Sequence, residues 1–198
     1  MNSTGQSNSL AVENATQVVS TPTGAIYEIN SAHSAAHFSV RHLMISNVKG
    51  EFSKVTGTVV YDPNNVEAAR VNATIDATTI NTRDEQRDAH LRSADFFDTE
   101  KYPTLTFKST QVSKSKNKLR VTGDLTIHGV TREVILDVDG PTAEVKDPWG
   151  NTRVGATAST KINRKDWGLT WNSALETGGV LVGEEVTITL DIEAVKKG

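Results

Sequence analysis

Three histidines lie close together in the first quarter of the chain: His33, His37 and His42. Neutral imidazole is a common metal ligand, so the cluster raises the question of a metal centre. Strand geometry argues against one. His37 and His42 are an odd number of residues apart, so an unbroken strand sends them to opposite faces. His33 and His37 share a face but stand about 13 Å apart at roughly 3.3 Å per residue. One ion with bonds of about 2.0–2.1 Å cannot join them without a bend. No metal site is expected. His42, on the same face as Phe38 and Val40, is expected to be a hydrogen-bonded polar residue in or beside the protein interior.

A second group, Arg87, Asp88 and His90, contains the residue types of acid–base chemistry. No nucleophile motif and no second carboxylate cluster accompanies it, so no catalytic residue is assigned. A structural role is expected instead, tying a short helix to its neighbouring loops and to the turn at residues 95–98. Arg87 and His90 would share one helix face with Leu91, and the planar guanidinium suits an anionic group. Trp167 and Trp171 are four apart; in a strand they would share a face and line an apolar channel or close its base. Gly178, Gly179 and Gly183 fit turns rather than a phosphate loop.

The elements that must position these groups are strands. Thr, Val and Ile number 25, 21 and 10 of 198 residues, and β-branched side chains suit a pleated surface. Strict alternation marks segments at residues 26–30, 34–42, 51–62, 70–80, 104–111, 118–127, 133–138, 153–163 and 184–194. It aligns Phe38 with Val40, Val71 with Ala73 and Ile75, Leu105 with Phe107, and Leu119 with Val121, Leu125 and Ile127. Val134, Leu136 and Val138 form another row, as do Val186, Ile188, Leu190 and Ile192. Gly57 is expected at a bulge and His128-Gly129-Val130 at a tight turn. A capping box from Thr82 to Glu85 opens one helix at about residues 83–94. Leu91 is its sole strongly apolar residue, so it is expected across the mouth or rim of a sheet, with Phe96 and Phe97 turning inward. Many antiparallel strands with one helix indicate an all-β barrel or sandwich. One domain over residues 25–198 is expected, preceded by a disordered arm at residues 1–24.

Charge and composition exclude several classes. Net charge is -3 and sequence pI about 6.0, which disfavours nucleic acid as a partner. Lys114, Lys116 and Lys118 read as a solvated hairpin tip. There is no cysteine, hence no thiolate metal site or cysteine nucleophile. Mean hydropathy is -0.37, and no apolar run approaches the length of a membrane-spanning helix. No basic-then-apolar leader is visible. The expected location is cytoplasmic as the sequence stands, or periplasmic if a leader has been removed.

Four motifs carry a resemblance. His33-Ser34-x-x-His37-Phe38-x-Val40-x-His42 with Gly50-x-Phe52 resembles the opening of the YceI-like family. The run from Thr82-Arg83 through Arg87-Asp88-x-His90-Leu91-x-Ser93-x-Asp95-Phe96-Phe97-Asp98, followed by Tyr102-Pro103 and Phe107, is similar to its most distinctive stretch. Gly123-x-Leu125-Thr126-Ile127-His128-Gly129-Val130-Thr131 resembles its hairpin, and Asn163-Arg164-Lys165-Asp166-Trp167-Gly168-Leu169 with Gly183-Glu184-Glu185-Val186 its C-terminal end. The resemblance implies an extended eight-stranded, lipocalin-like antiparallel barrel. It also implies a polyisoprenoid or other long-chain, fatty-acid-like amphiphile held in a hydrophobic lumen, and it is compatible with a homodimer. Some members are linked to stress responses or to quinone-containing electron-transfer partners.

On that fold the residues expected to line the lumen are Phe38, His42, Phe52, Phe107, Leu125, Leu136, Trp167, Leu169 and Trp171. Arg87 and His90 would meet a head group. The expected function is non-enzymatic lipid binding without a cofactor, for storage, transport or sequestration. Two alternatives stand beside it: an enzyme acting on a lipid-like substrate with His42 or His90 as base, and a barrel serving as scaffold for a protein partner.

Overall fold

The structure, a computed structural model, describes residues 24–115, 118–176 and 178–198. The arm expected at residues 1–24 lies outside the described residues except for Gly24, as does Lys116 of the basic cluster. The chain forms strands β1 (Ala25–Ile29), β2 (Ala35–His42), β3 (Ser46–Phe52), β4 (Val55–Tyr61), β5 (Arg70–Asp76) and β6 (Ile80–Asn81); the single strand expected at residues 51–62 is divided between β3 and β4, and most of β3 was not expected. Then follow β7 (Thr104–Ser115), β8 (Lys118–Ile127), β9 (Val130–Asp139), β10 (Val145–Lys146), β11 (Thr152–Asn163) and β12 (Val182–Lys196). One helix, α1 (Glu85–Arg92), sits between β6 and β7. No helix among the described residues is long and apolar enough to cross a membrane.

β12 closes the ring. It pairs along one edge with β11 and along the other with β2 and, near its end, β1. β1 and β2 therefore act as one interrupted strand. So do β3 and β4, and β5 and β6, because β1 pairs with β4 while β2 pairs with β3, and β4 with β5 while β3 meets β6. The circuit runs on through β7, β8 and β9 to β11. With each interrupted pair taken once, eight strands make a closed antiparallel barrel. β10 is a short flap paired to the start of β11.

Local side chains cause the interruptions. The Asn30 carboxamide accepts from the Ala32 N–H (3.2 Å), and a single 3-10 turn at Ser31–His33 follows. Asp76 accepts from the Thr78 N–H (3.1 Å) and starts the turn at Ala77–Thr79 that divides the segment expected to be continuous over residues 70–80. The expected bulge at Gly57 is absent: the β4–β5 register runs through it unbroken. Gly57 is there for a different reason. Its φ is +145°, and a Cβ would stand 2.1 Å from the Asn72 carbonyl oxygen. A bulge does occur in β7, between Ser109 and Gln111. It restores Val112 to the buried side after Leu105 and Phe107. His128 and Gly129 form the tight β8–β9 turn with φ of 51° and 73°.

α1 is shorter than its expected span of residues 83–94, and its N-cap is Asp84, which accepts from the Arg87 N–H (2.9 Å). Thr82 is not the cap because its hydroxyl and N–H are both bound to Asp88, and Arg83 adopts a positive φ of 64°. Replacing Gly57 by alanine forces a Cβ into backbone at a conformation that L-residues rarely adopt. We expect Gly57→Ala to cost about 1–3 kcal/mol or more, measured by urea unfolding; unchanged stability would contradict the geometry.

Candidate functional site

The inward faces of the eight composite strands enclose a cavity of about 640 Å³. Its shaft is walled by aliphatic and aromatic side chains, among them Val59, Val71, Ile75, Leu105, Val121 and Leu190. From Leu119 to Ile127 the lining follows β8 over roughly 26 Å of strand, at about 3.3 Å per residue. The hydrogen-bond ladders satisfy most of the wall's backbone, and where β7 bulges the buried Ser109 hydroxyl accepts from the Val71 N–H (2.8 Å), so few polar side chains are required inside it.

The two ends differ. At the end where β1 begins and β12 finishes, Tyr61, Val66, Leu119, Val138 and Pro141 line the cavity. The segment after β9 reaches this end through Pro141 and then turns on Asp147. That carboxylate accepts from the N–H groups of Trp149 (3.0 Å) and Asn151 (2.8 Å), from the Asn151 side chain, and from Arg153. Burial pushes the Asp147 carboxyl up, but the hydrogen bonds from Asn151, Arg153 and Trp149 outweigh it and hold it down at about 2.

At the other end most of the charged lining residues gather, Arg41, His42, Asp84, Arg87, His90 and Arg164, with His37 alone farther down the wall. α1 crosses this mouth and presents Arg87, His90 and Leu91 to the cavity. They are three and four residues apart and so share one face. Almost nothing apolar drives the helix into place, and polar ties do the work. The Thr82 N–H and hydroxyl donate to the buried Asp88 (2.8 and 2.5 Å). The Arg87 Nε and Nη2 donate to the Thr82 hydroxyl and carbonyl (2.7 and 2.8 Å). Arg92 donates to the carbonyls of Thr78 (3.0 Å) and Ile80 (2.8 Å). His90 bonds Asp95 (2.8 Å) while its ring meets Phe96 and Trp171 edge-on, with centroids 5.1 and 4.7 Å away. The expected tie from this helix to its loops is thus present, made by Arg92 as well as by the residues named from sequence.

Of the residues expected to line the lumen, Phe38, His42, Phe52, Phe107, Leu125, Leu136, Leu169 and Trp171 do so. Phe38, Phe52 and Phe97 stack below the helix, with centroids 5.8 and 5.5 Å apart. Trp167 does not line the cavity. Residues Arg164–Trp167 form a 3-10 turn opened by the Asn163 side chain and closed by Gly168 at φ 77°, so Trp167 and Trp171 do not share a strand face. Trp167 is buried and donates to the Leu125 carbonyl (3.1 Å). It packs where β9 and β11 diverge, since those strands pair only through residues 157–159 of β11. His42 reaches the mouth, but its ring makes no hydrogen bond among the described residues, contrary to expectation. His33 and His37 are separated from it: His33 bonds Asn30 (2.9 Å), and His37 lies between Glu51 and Asp191.

Arg164 was not singled out from sequence. Its guanidinium is buried and donates to the carbonyls of Gly183 (2.8 Å), Trp171 (2.9 Å), Val182 (3.4 Å) and Leu169. Burial lowers its pKa, opposed by the charge of Glu184. A cation among an apolar Ile162, Trp167 and Leu169 was the available signal. Arg41 was missed because it sits on the outward parity of β2 and enters the mouth only through the hairpin turn, where its Nη2 donates to the Met44 carbonyl (2.8 Å).

The sequence profile described as the YceI-like domain matches residues 27–194. A UPF0312 protein of Staphylococcus aureus is 39% identical over 167 residues, covering 84% of this chain and 95% of that protein. The chain belongs to the YceI-like family. The Campylobacter jejuni YceI crystal structure superposes with a TM-score of 0.67 at 32% identity, over 80% of this chain and 90% of that one. A structure described as a polyisoprenoid binding domain from Saccharophagus degradans shares the fold, with a TM-score of 0.62 at 15% identity over 86% and 98% of the two chains. The eight-stranded YceI-like barrel expected from the motifs is the observed one.

The Asp147 network carries a pH dependence. A carboxyl held at about 2, below its ordinary 3.8, contributes stability that is complete above the ordinary value and lost as pH falls from there through about 2. In an NMR titration the amides of Trp149 and Asn151 are expected to shift with a midpoint near 2, a transition absent in Asp147→Asn. A midpoint near 3.8 would remove the assigned role.

Proposed function

We propose that this protein binds, without chemical turnover, a long-chain isoprenoid or fatty-acid-like amphiphile, with the tail in the shaft and the head group at the α1 end. The observation that carries this is the polarity of the cavity along its length: an apolar shaft lined by Tyr61, Val66, Leu119, Val138 and Pro141 at one end, with most of the charged lining residues collected at the other. A volume of about 640 Å³ falls within the usual range of ligand sites, about 300–1,000 Å³. The Saccharophagus degradans neighbour, described as polyisoprenoid-binding, is consistent with a chain-like ligand.

The energetics favour such a ligand. Each methylene taken from water contributes about 0.8 kcal/mol, so ten give roughly 8 kcal/mol before the costs of association and ordering. Few polar contacts are then needed, and those available lie at the mouth. Arg87 uses two guanidinium nitrogens on Thr82, and its remaining nitrogen is the proposed donor to the head group. His90, with Asp95 behind it, is the proposed second contact.

Ala158 lies in mid-wall on β11, between Val138 and Leu190, and lines the cavity. Ala158→Phe narrows the shaft at mid-height with one ring. Organic extraction and mass spectrometry of freshly purified protein should recover an amphiphile from the wild type, and the variant should bind an added polyprenyl probe at least about tenfold more weakly, because burial of several methylenes is lost. Wild-type protein that carries no lipid and binds neither polyprenyl nor acyl probes would overturn the proposal.

A further inference from the structure

The turn joining β2 to β3 stands beside the cavity mouth and turns apolar side chains to solvent. Met44 is 55% exposed and Ile45 78%. Scattered exposed apolar residues are ordinary. Among the described residues, however, these are the only two exposed large hydrophobics that are adjacent in the chain. The turn is also fixed. The Leu43 N–H donates to the carbonyl of Leu181, a cavity-lining residue (2.9 Å), and the Ile45 N–H donates to the His42 carbonyl (3.1 Å). Arg41 clamps the Met44 carbonyl. Leu43 and Met44 both adopt a left-handed backbone, with φ of 51° and 59°. Bulky non-glycine residues rarely do so. A costly backbone is thus held in place to display two apolar side chains next to the entrance.

The charge of the hairpin itself is one-sided. Residues 29–50 contain Arg41, Lys49 and three histidines but no Asp or Glu, in a chain whose net charge is -3. The β2–β3 register sets Arg41 against Asn47 and Lys49 against Ser39, so neither cation has an acidic partner across the hairpin. The neighbouring rim is mixed: α1 and its cap carry Asp84 and Glu85 beside Arg83 and Arg87, the loop that Leu43 touches carries Glu176, and the β12 bulge beside Arg41 carries Glu184 and Glu185, which are bound to Lys165 and Lys161. The positive, apolar-tipped element is therefore the hairpin itself. Apolar residues that penetrate acyl chains beside cations that meet anionic head groups are the chemistry of an interfacial lipid anchor.

We propose that the hairpin turn at Met44 and Ile45 docks on an anionic lipid bilayer, its two side chains entering the interface and Arg41 and Lys49 facing lipid phosphates, so that the cavity mouth opens at the membrane surface. The docking stands on the turn itself; its use in loading rests on the lipid-binding reading of the cavity. The chain has no cysteine, so Ile45→Cys takes a single environment-sensitive fluorophore, and Trp149→Cys reports from the opposite end. Vesicles containing phosphatidylglycerol should raise and blue-shift the emission at position 45, less so at high salt, with little change at 149 or with phosphatidylcholine alone. No change at 45, or an equal change at 149, would overturn the docking.

A second measurement separates docking from binding. In the variant Met44→Ser with Ile45→Ser, uptake of a fluorescent polyprenyl probe from anionic vesicles should slow by at least about tenfold, given the apolar area removed from the interface. Uptake of the same probe diluted from ethanol should be unchanged. Equal loss by both routes would place the turn in binding rather than docking and overturn its role in loading. Wild-type protein that takes up probe by neither route would overturn the cavity reading, and the label at position 45 would still decide the docking.

Discussion

Closure of the hydrogen-bonded ring is the constraint on which the structure depends. Once β12 is paired on both edges, the backbone polar groups of the wall are matched between strands. The inner face is then free to be apolar throughout. An open sheet with the same alternation would have to cover that face with a second layer. Here the sheet supplies its own, and helix α1 is released from core duty. That release explains its composition: Asp88 is its buried residue, and its position is set by ties to Thr82, Thr78 and Ile80 rather than by an apolar stripe. The helix is in effect a polar crossbar over an apolar shaft.

Most of the wall was legible because a strand's faces are separated by parity. Phe38, Phe107, Leu125 and Leu136 point inward for the same reason that their neighbours do not, and one residue of register decides the whole row. The YceI-like motifs added the closure of the barrel, which alternation alone leaves open between barrel and sandwich. What stayed hidden was set by short-range competition. Thr82 and Glu85 spell a capping box, but Asp88 takes Thr82 and leaves the cap to Asp84. Trp167 looks like a strand residue until the Asn163 side chain folds the chain into a 3-10 turn. Arg164 is invisible in a different way: carbonyls of four other residues satisfy it, and backbone acceptors have no signature in the sequence.

The candidate site was legible in proportion to how far it depends on apolar parity. Parts of its shaft were read, on β2, β5, β7, β8, β9 and β12, while the lining from β4 and β11, such as Val59 and Ala158, was not. Its mouth was read in part: helix spacing places Arg87 and His90 on one face of α1, and strand parity brings His42 to the rim. Arg41 and Arg164 come from an outward strand position and a loop, and neither has a periodicity to follow. The arrangement suits an amphiphile because the wall can recognise length and apolar character while the rim recognises charge, with the two tasks assigned to different elements.

The divergence of β9 from β11 leaves the ring with unequal joints. β11 meets β12 along residues 153–163 but meets β9 along only 157–159, with the Trp167 indole bridging to Leu125 where the ladder stops. A cylinder with one short joint has its compliance there. Local opening favours the stretch with fewest backbone bonds, and in this ring that stretch is the β9–β11 joint. Any change in the girth of the barrel is thereby directed to a single line rather than spread around the ring.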